Sequence, residues 1–160
     1  MIEILPLEKA DAERIVAWNA GTSADFLVQW TGRGYEYPLT ADQITSRIDA
    51  QSSCDYLLYK IVLNNEMIGT IELMAIDKAA KRARIGRFLL DPALAGKGYG
   101  TAALKAFVRK AQDALGIEKL SLSVFDYNHA AIRCYEKAGF QSVGREARGN
   151  GLVAISMEIA

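Results

Sequence analysis

Apolar positions along this chain change period several times, and the changes mark out its elements. "IEILPL" at residues 2–7 reads as a short strand, and "DAERIVAWN" at 11–19 has helical spacing with Ile15, Val16 and Trp18 on one face. "PLTADQITSRIDA" at 38–50 predicts a second helix, because Thr40 can cap its first turn and Gln43 stands three residues later, the spacing of a capping box. Between the two helices, "DFLVQWTGRGYEYP" is aromatic and irregular. "DYLLYKIVL" and "MIGTIELMAI" are strand-like runs joined by "NNE", which predicts a tight hairpin. "ARIGRFLL" makes a third strand that Pro92 prevents from running on. From Gly98 to Leu115 the apolar residues Leu104, Phe107, Val108, Ala111 and Leu115 recur at helix spacing, with Gly116 at the stop. "KLSLSVF" alternates as a strand. "NHAAIRCYEKAGF" predicts a short helix capped by Asn128 and closed by Gly139, and "FQSVGREA" and "GLVAISMEI" predict two last strands around an "RGNG" turn. The order is strand, two helices, three strands, helix, strand, helix, two strands, a mixed α/β arrangement with a crossover helix in its second half.

Composition narrows the field. With 160 residues, 51% of them apolar, the chain can bury one substantial core, so one domain over 1–160 is expected. Nineteen basic residues balance nineteen acidic ones, and no global field draws the protein to nucleic acid or to an anionic membrane. Cys54 and Cys134 lie far apart and outside any CxxC pattern, which argues against a disulfide framework and a thiolate metal site and suits a reduced compartment. His129 is the only histidine and has no ligand partner at metal spacing. "MIEILPLEKADAERI" lacks the pattern of a signal peptide and no window has the length to cross a bilayer, so a cytoplasmic protein is expected.

The segment "LLDPALAGKGYGTAAL" at 89–104 carries the candidate chemistry. A strand, a break at Asp91-Pro92, three glycines and a helix start bring free backbone N–H groups and a positive helix end together, as a diphosphate requires. A P-loop is excluded because no Gly-Lys-Ser/Thr triplet exists. Gly98, Gly100 and Ala103 satisfy the relaxed dinucleotide spacing, but a hairpin sheet precedes the loop and Glu118 begins the next strand instead of ending it. An ordinary helix start rich in turn residues is the bland alternative. "AGKGYG" at 95–100 resembles the pyrophosphate loop Arg/Gln-x-x-Gly-x-Gly/Ala of the GNAT superfamily of acyl-coenzyme A-dependent N-acyltransferases, with Ala95 in place of the usual Arg or Gln. "NHAAIRCYEKAGF" resembles the same family's later segment through Asn128, Tyr135, Glu136, Lys137, Gly139 and Phe140. The element order is similar over nearly the whole chain, and "FLVQWTGRGYEYPLT" further resembles a RimJ/RimL-like branch, named for ribosomal-protein N-terminal acetyltransferases.

This resemblance implies a GNAT-like fold: a mostly antiparallel central sheet with a parallel, splayed pair of strands at its centre and helices on both faces. It implies transfer of an acetyl group from acetyl-coenzyme A directly to a primary amine, on a small molecule or a peptide N-terminus, without a metal. The pantetheine arm would lie along Phe88, Leu89 and Leu90, with a backbone N–H near Leu90 as oxyanion donor. The pyrophosphate would fall on Gly96, Lys97, Gly98, Tyr99, Gly100 and Thr101. Asn128 would fix the pantetheine or simply cap its helix, and Tyr135 would protonate the leaving thiolate, where residue pattern alone favours a core aromatic. Arg84 and Ser123 stand where many members carry a glutamate, which leaves Glu72 on the neighbouring strand as the expected base or else as an outward-facing strand residue.

Asp25, Trp30 and Glu36 lie in the segment that borders the family's acceptor groove, and the two acids are expected to hold a cationic amine. "KAAKRARIGR" reads as a solvated basic loop leading into a strand, and Cys134 as a small buried hydrophobe. A homodimer is a family habit. Two rivals remain: a non-catalytic acyl-coenzyme A sensor on the same fold, and a nicotinamide-dependent oxidoreductase.

Overall fold

The computed structural model describes residues 1–32, 34–51 and 55–160; Cys54 lies outside them. Along the chain run β1 (Ile2–Pro6), α1 (Ala12–Asn19), α2 (Ala24–Thr31), α3 (Ala41–Ala50), β2 (Leu57–Leu63), β3 (Glu66–Asp77) and β4 (Arg82–Leu90). They are followed by α4 (Tyr99–Leu115), β5 (Lys119–Phe125), α5 (His129–Lys137), β6 (Gln141–Ala147) and β7 (Val153–Ile159). The seven strands form one sheet in the order β1-β2-β3-β4-β5-β7-β6, antiparallel throughout except for the parallel pair β4 and β5. Among the described residues no helix is long and apolar enough to cross a membrane.

Three helices follow β1, not two. The aromatic stretch left unassigned folds as α2: Ser23 Oγ accepts a hydrogen bond from the Phe26 N–H at 3.1 Å, Leu27 and Thr31 turn inward, and Gly32 leaves the helix at φ 66°. Thr40 caps α3 as expected, accepting from the Gln43 N–H. Gln43 does not complete the box. Its amide instead donates to the Glu36 and Pro38 carbonyls and accepts from the Glu36 N–H, strapping the preceding loop onto α3. The hairpin between β2 and β3 turns on Asn64 and Asn65 alone, at φ 51° and 68°, with Glu66 already in the strand; a two-residue turn needs left-handed backbone at both positions, which asparagine tolerates.

Successive strand residues face opposite ways, so the sheet buries apolar side chains on both sides. Tyr59, Ile61, Ile71 and Leu73 pack with Leu104, Phe107, Val108 and Ala111 of α4. Leu58 and Met67 pack with Ile15, Trp18, Leu27 and Ile44 of the first three helices.

In β4 that alternation breaks beside the site. Ala83 and Ile85 belong to the α4-side core, yet Leu89 belongs to the opposite one, while Phe88 and Leu90 have moved to the α4 side. The cause is a bulge. Thr70 of β3 faces Leu89, but Glu72, two residues on, faces Gly86, three residues back, and Arg87 adopts φ 46°. Parallel pairing of β4 with β5 is confined to Arg82 with Lys119, Ala83 with Leu120 and Arg84 with Ser121, so the two strands part company just before the bulge.

Candidate active site

The parting strands leave a gap, and three cavities follow one another through it. The first, about 290 Å³, lies at the start of α4 between the glycine loop and α5. Gly96 and Gly98 have φ values of 77° and 81° with open space where a Cβ would stand, so backbone conformation selects glycine there. Gly98 is the N-cap of α4, and the first intrahelical bond runs from the Ala102 N–H to the Gly98 carbonyl. The N–H groups of Tyr99, Gly100 and Thr101 therefore lack intrahelical partners and carry the positive end of a 17-residue helix. Arg133 and Lys137 of α5 line this cavity, whereas Lys97 is exposed and does not. Their spacing of four residues on one helix, shared with the small Ala130 and Cys134, was the signal that could have found them. An unpaired amide cradle flanked by two cations fits the diphosphate of coenzyme A.

The second cavity, about 300 Å³, occupies the gap itself. Phe88, Leu89 and Leu90 form one wall, Asn128, Cys134 and Tyr135 another, and Phe26 and Trp30 of α2 reach over it. The Asp91 N–H is given to the Ile68 carbonyl of β3 at 2.7 Å, so strand alternation turns the Leu90 N–H the other way, toward the gap. Asn128 caps α5, its Oδ1 accepting from the Ala131 N–H at 3.3 Å. Thr101 turns its hydroxyl toward the Cys134 sulfur at 3.6 Å, and burial pushes the Cys134 thiol up from its ordinary value.

Tyr135 is half-buried, its ring 6.4 Å from that of Phe88 and edge-on to Phe140 at 6.1 Å. Its hydroxyl makes no hydrogen bond to another described residue. Burial, with a smaller contribution from Cys134, raises the phenol well above its ordinary value, so Tyr135 holds its proton at neutral pH.

The third cavity, about 180 Å³, continues from the second through Trp30, Gly86, Arg87 and Ser123. Trp30 is fixed there by its indole N–H, which donates to Asn19 Oδ1 at 2.9 Å. Arg84 and Ser123, at the two places where a carboxylate was missed, face each other: Arg84 Nη2 donates to Ser123 Oγ at 3.0 Å.

The acid residues behave otherwise than expected. Glu72 lines none of these cavities. It is neither an outward-facing residue nor a free base, being 3% exposed and held by Arg47, whose Nε and Nη2 reach the carboxylate at 3.1 and 2.7 Å, with Arg87 Nη1 at 3.5 Å. Arg87 also donates to the Thr31 carbonyl at 3.1 Å and lies over the Tyr35 ring at 4.6 Å. Burial first, then the Glu72 charge, pushes the Tyr35 phenol up to about 12. Glu72 is thus the centre of a buried network that ties β3 and β4 to α2 and α3. Asp25 and Glu36 are exposed and border none of the three cavities, so they are not placed to hold a cationic amine in the gap. His129 is exposed at the start of α5.

Residues 20–140 match the model of the acetyltransferase (GNAT) family. This chain belongs to that family. Among curated relatives of this GNAT protein, spermidine N(1)-acetyltransferase of Escherichia coli K12 is 27% identical over 144 residues, 89% of this chain and 74% of that one. Spermine/spermidine N(1)-acetyltransferase of Bacillus subtilis is 35% identical over 68 residues, 42% of this chain and 45% of that one. The GNAT fold described above also matches the crystal structure of Vibrio cholerae spermidine N-acetyltransferase in complex with CoA and spermine, with a TM-score of 0.82, 20% identity and coverage of 99% and 94%. The chain is an acetyl-coenzyme A-dependent N-acetyltransferase acting on an amine.

Proposed function

We propose that acetyl-coenzyme A enters from the glycine loop with its pantetheine arm along β4, and that a primary amine meets the thioester from the opposite, arginine-lined end. The amine nitrogen attacks the acetyl carbon, a C–N bond forms and the C–S bond breaks. The Leu90 N–H supports the oxyanion, Tyr135 protonates the departing sulfur, and the amine loses its proton to water because no carboxylate of the described residues borders the gap. Gly96, Gly98 and the N–H groups of Tyr99, Gly100 and Thr101 would take the pyrophosphate, with Arg133 and Lys137 in the part expected of Lys97. The observation that carries this reading is the meeting, in one continuous gap, of the half-buried Tyr135 phenol and a strand N–H turned away from β3.

Replacement of Tyr135 by Phe tests it. Turnover, followed as free thiol released from acetyl-coenzyme A, is expected to fall about 100-fold, the scale of lost general-acid catalysis, with coenzyme affinity unchanged. Equal turnover in the two proteins removes the role. Binding of coenzyme A with no thiol released across a broad amine panel would instead favour the sensor reading.

The names of the relatives support an amine acceptor. The narrower RimJ/RimL-like likeness, and with it a peptide N-terminus as acceptor, rests on residues 26–40 alone. We place the enzyme in the cytoplasm as one domain, where the Cys134 thiol stays reduced, and a homodimer accords with the family habit.

A further inference from the structure

Among the described residues, the acceptor end of the gap is lined by three guanidinium groups, Arg84, Arg87 and Arg148, and by no carboxylate. Two of the three have acidic neighbours. Arg87 meets Glu72 at 3.5 Å, and Arg148 lies 3.7 Å from Glu146 in a pair that is largely exposed and therefore screened. Arg84 differs. It donates to Ser123 and forms no ion pair with a described carboxylate. Asp77 and Glu158, which share a neighbouring polar cavity with Arg84, are engaged elsewhere: Asp77 accepts from the Ala80 N–H and Glu158 faces Lys119 at 3.5 Å.

A guanidinium carries five N–H donors in a planar fork that matches a carboxylate or a phosphate, and Arg84 spends one on Ser123. A second positive charge on an incoming amine would meet this wall with repulsion, in a cavity that offers no carboxylate to offset it. On the reading above, which places the acceptor here, we propose that the natural acceptor is a primary amine that also carries an oxyanion, carboxylate or phosphate. Arg84 holds that oxyanion with Arg148 beside it, while the amine points inward past Trp30 and Ser123 to the thioester.

Three amines of equal chain length test the charge directly: δ-aminovalerate is anionic at its far end, n-pentylamine neutral and cadaverine cationic. The wild-type enzyme is expected to favour δ-aminovalerate over cadaverine by about ten-fold or more in kcat/KM, the scale of one charge-assisted hydrogen bond. O-Phosphoethanolamine, run beside it, tells a phosphate preference from a carboxylate one. Arg84→Ala should erase the preference by raising KM for the anionic amine, with n-pentylamine turnover and coenzyme A affinity within about two-fold of wild type. Where turnover is too slow to rank the amines, calorimetric binding to the coenzyme A complex ranks them instead. The proposal is overturned if cadaverine matches or exceeds both anionic amines, if no anionic amine binds, or if Arg84→Ala lowers all three substrates alike. Those results would leave the acetyltransferase reading intact, since coenzyme A would still bind; loss of coenzyme A binding in wild-type protein would sink that reading instead.

Discussion

At the level of single residues, environment decides what each titratable group can do. A phenol that is to protonate a thiolate must still own its proton, and burial gives Tyr135 that property by raising it above the ordinary value near 10. Turnover should therefore show no fall on the alkaline side before about pH 10 that Tyr135→Phe abolishes, as a pH series of kcat will show. Glu72 has the opposite fate. Two arginines fix it, so Glu72→Gln is expected to cost about 3–5 kcal/mol of stability in denaturant titration, because it strands buried positive charge. Nothing in "GTIELMAI" announced this. The partner that buries Glu72 is Arg47, 25 positions away on α3, and alternation along a strand reports a face without saying what covers it. The role proposed for Tyr135 comes from its family segment; its residue pattern alone reads as core, and the ring does pack between two phenylalanines.

Among the elements, those with strong local signals were legible and the others were not. The hairpin strands β2 and β3 announce themselves by composition and turn, and α4 by period and its glycine stop, where Gly116 ends it in left-handed backbone. α2 hid because its apolar residues face two environments: Leu27 the core, Phe26 and Trp30 the gap. Its caps, Ser23 and Gly32, were present in the sequence. Caps also separate structure from catalysis at α5. Asn128→Ala is expected to lower stability by about 1 kcal/mol through the lost cap, read in thermal or denaturant melts. If coenzyme A affinity falls as well, beyond what that loss explains, Asn128 also touches the donor. Gly98→Ala forces a Cβ into left-handed backbone at the head of α4, a cost of about 1–2 kcal/mol, and should weaken coenzyme A binding because the amide cradle must shift.

Over the whole molecule, two apolar cores clamp the sheet from opposite sides, and the gap proposed as the active site opens where the sheet itself comes apart. The α4-side core is anchored by Phe107, 1% exposed and edge-on to Tyr59, so Phe107→Ala should cost about 3–5 kcal/mol in equilibrium unfolding. Element order pointed to this architecture, yet strand neighbours did not follow from order alone. That β7 lies between β5 and β6 is settled by distant packing, which no local window contains. The bulge was equally silent, since "ARIGRFLL" reads as an uninterrupted strand.

Arg87 is the supernumerary residue of β4, and an odd count has a discrete effect that no adjustment of side chains can imitate. Removing that single position would restore regular alternation along β4, with Phe88 and Leu90 keeping the α4-side face they share with Ala83 and Ile85, but it would erase the kink that follows the last residues paired with β5. Side chains around the fissure can thus be exchanged one at a time, whereas the bend that opens it depends on the number of residues in this one strand.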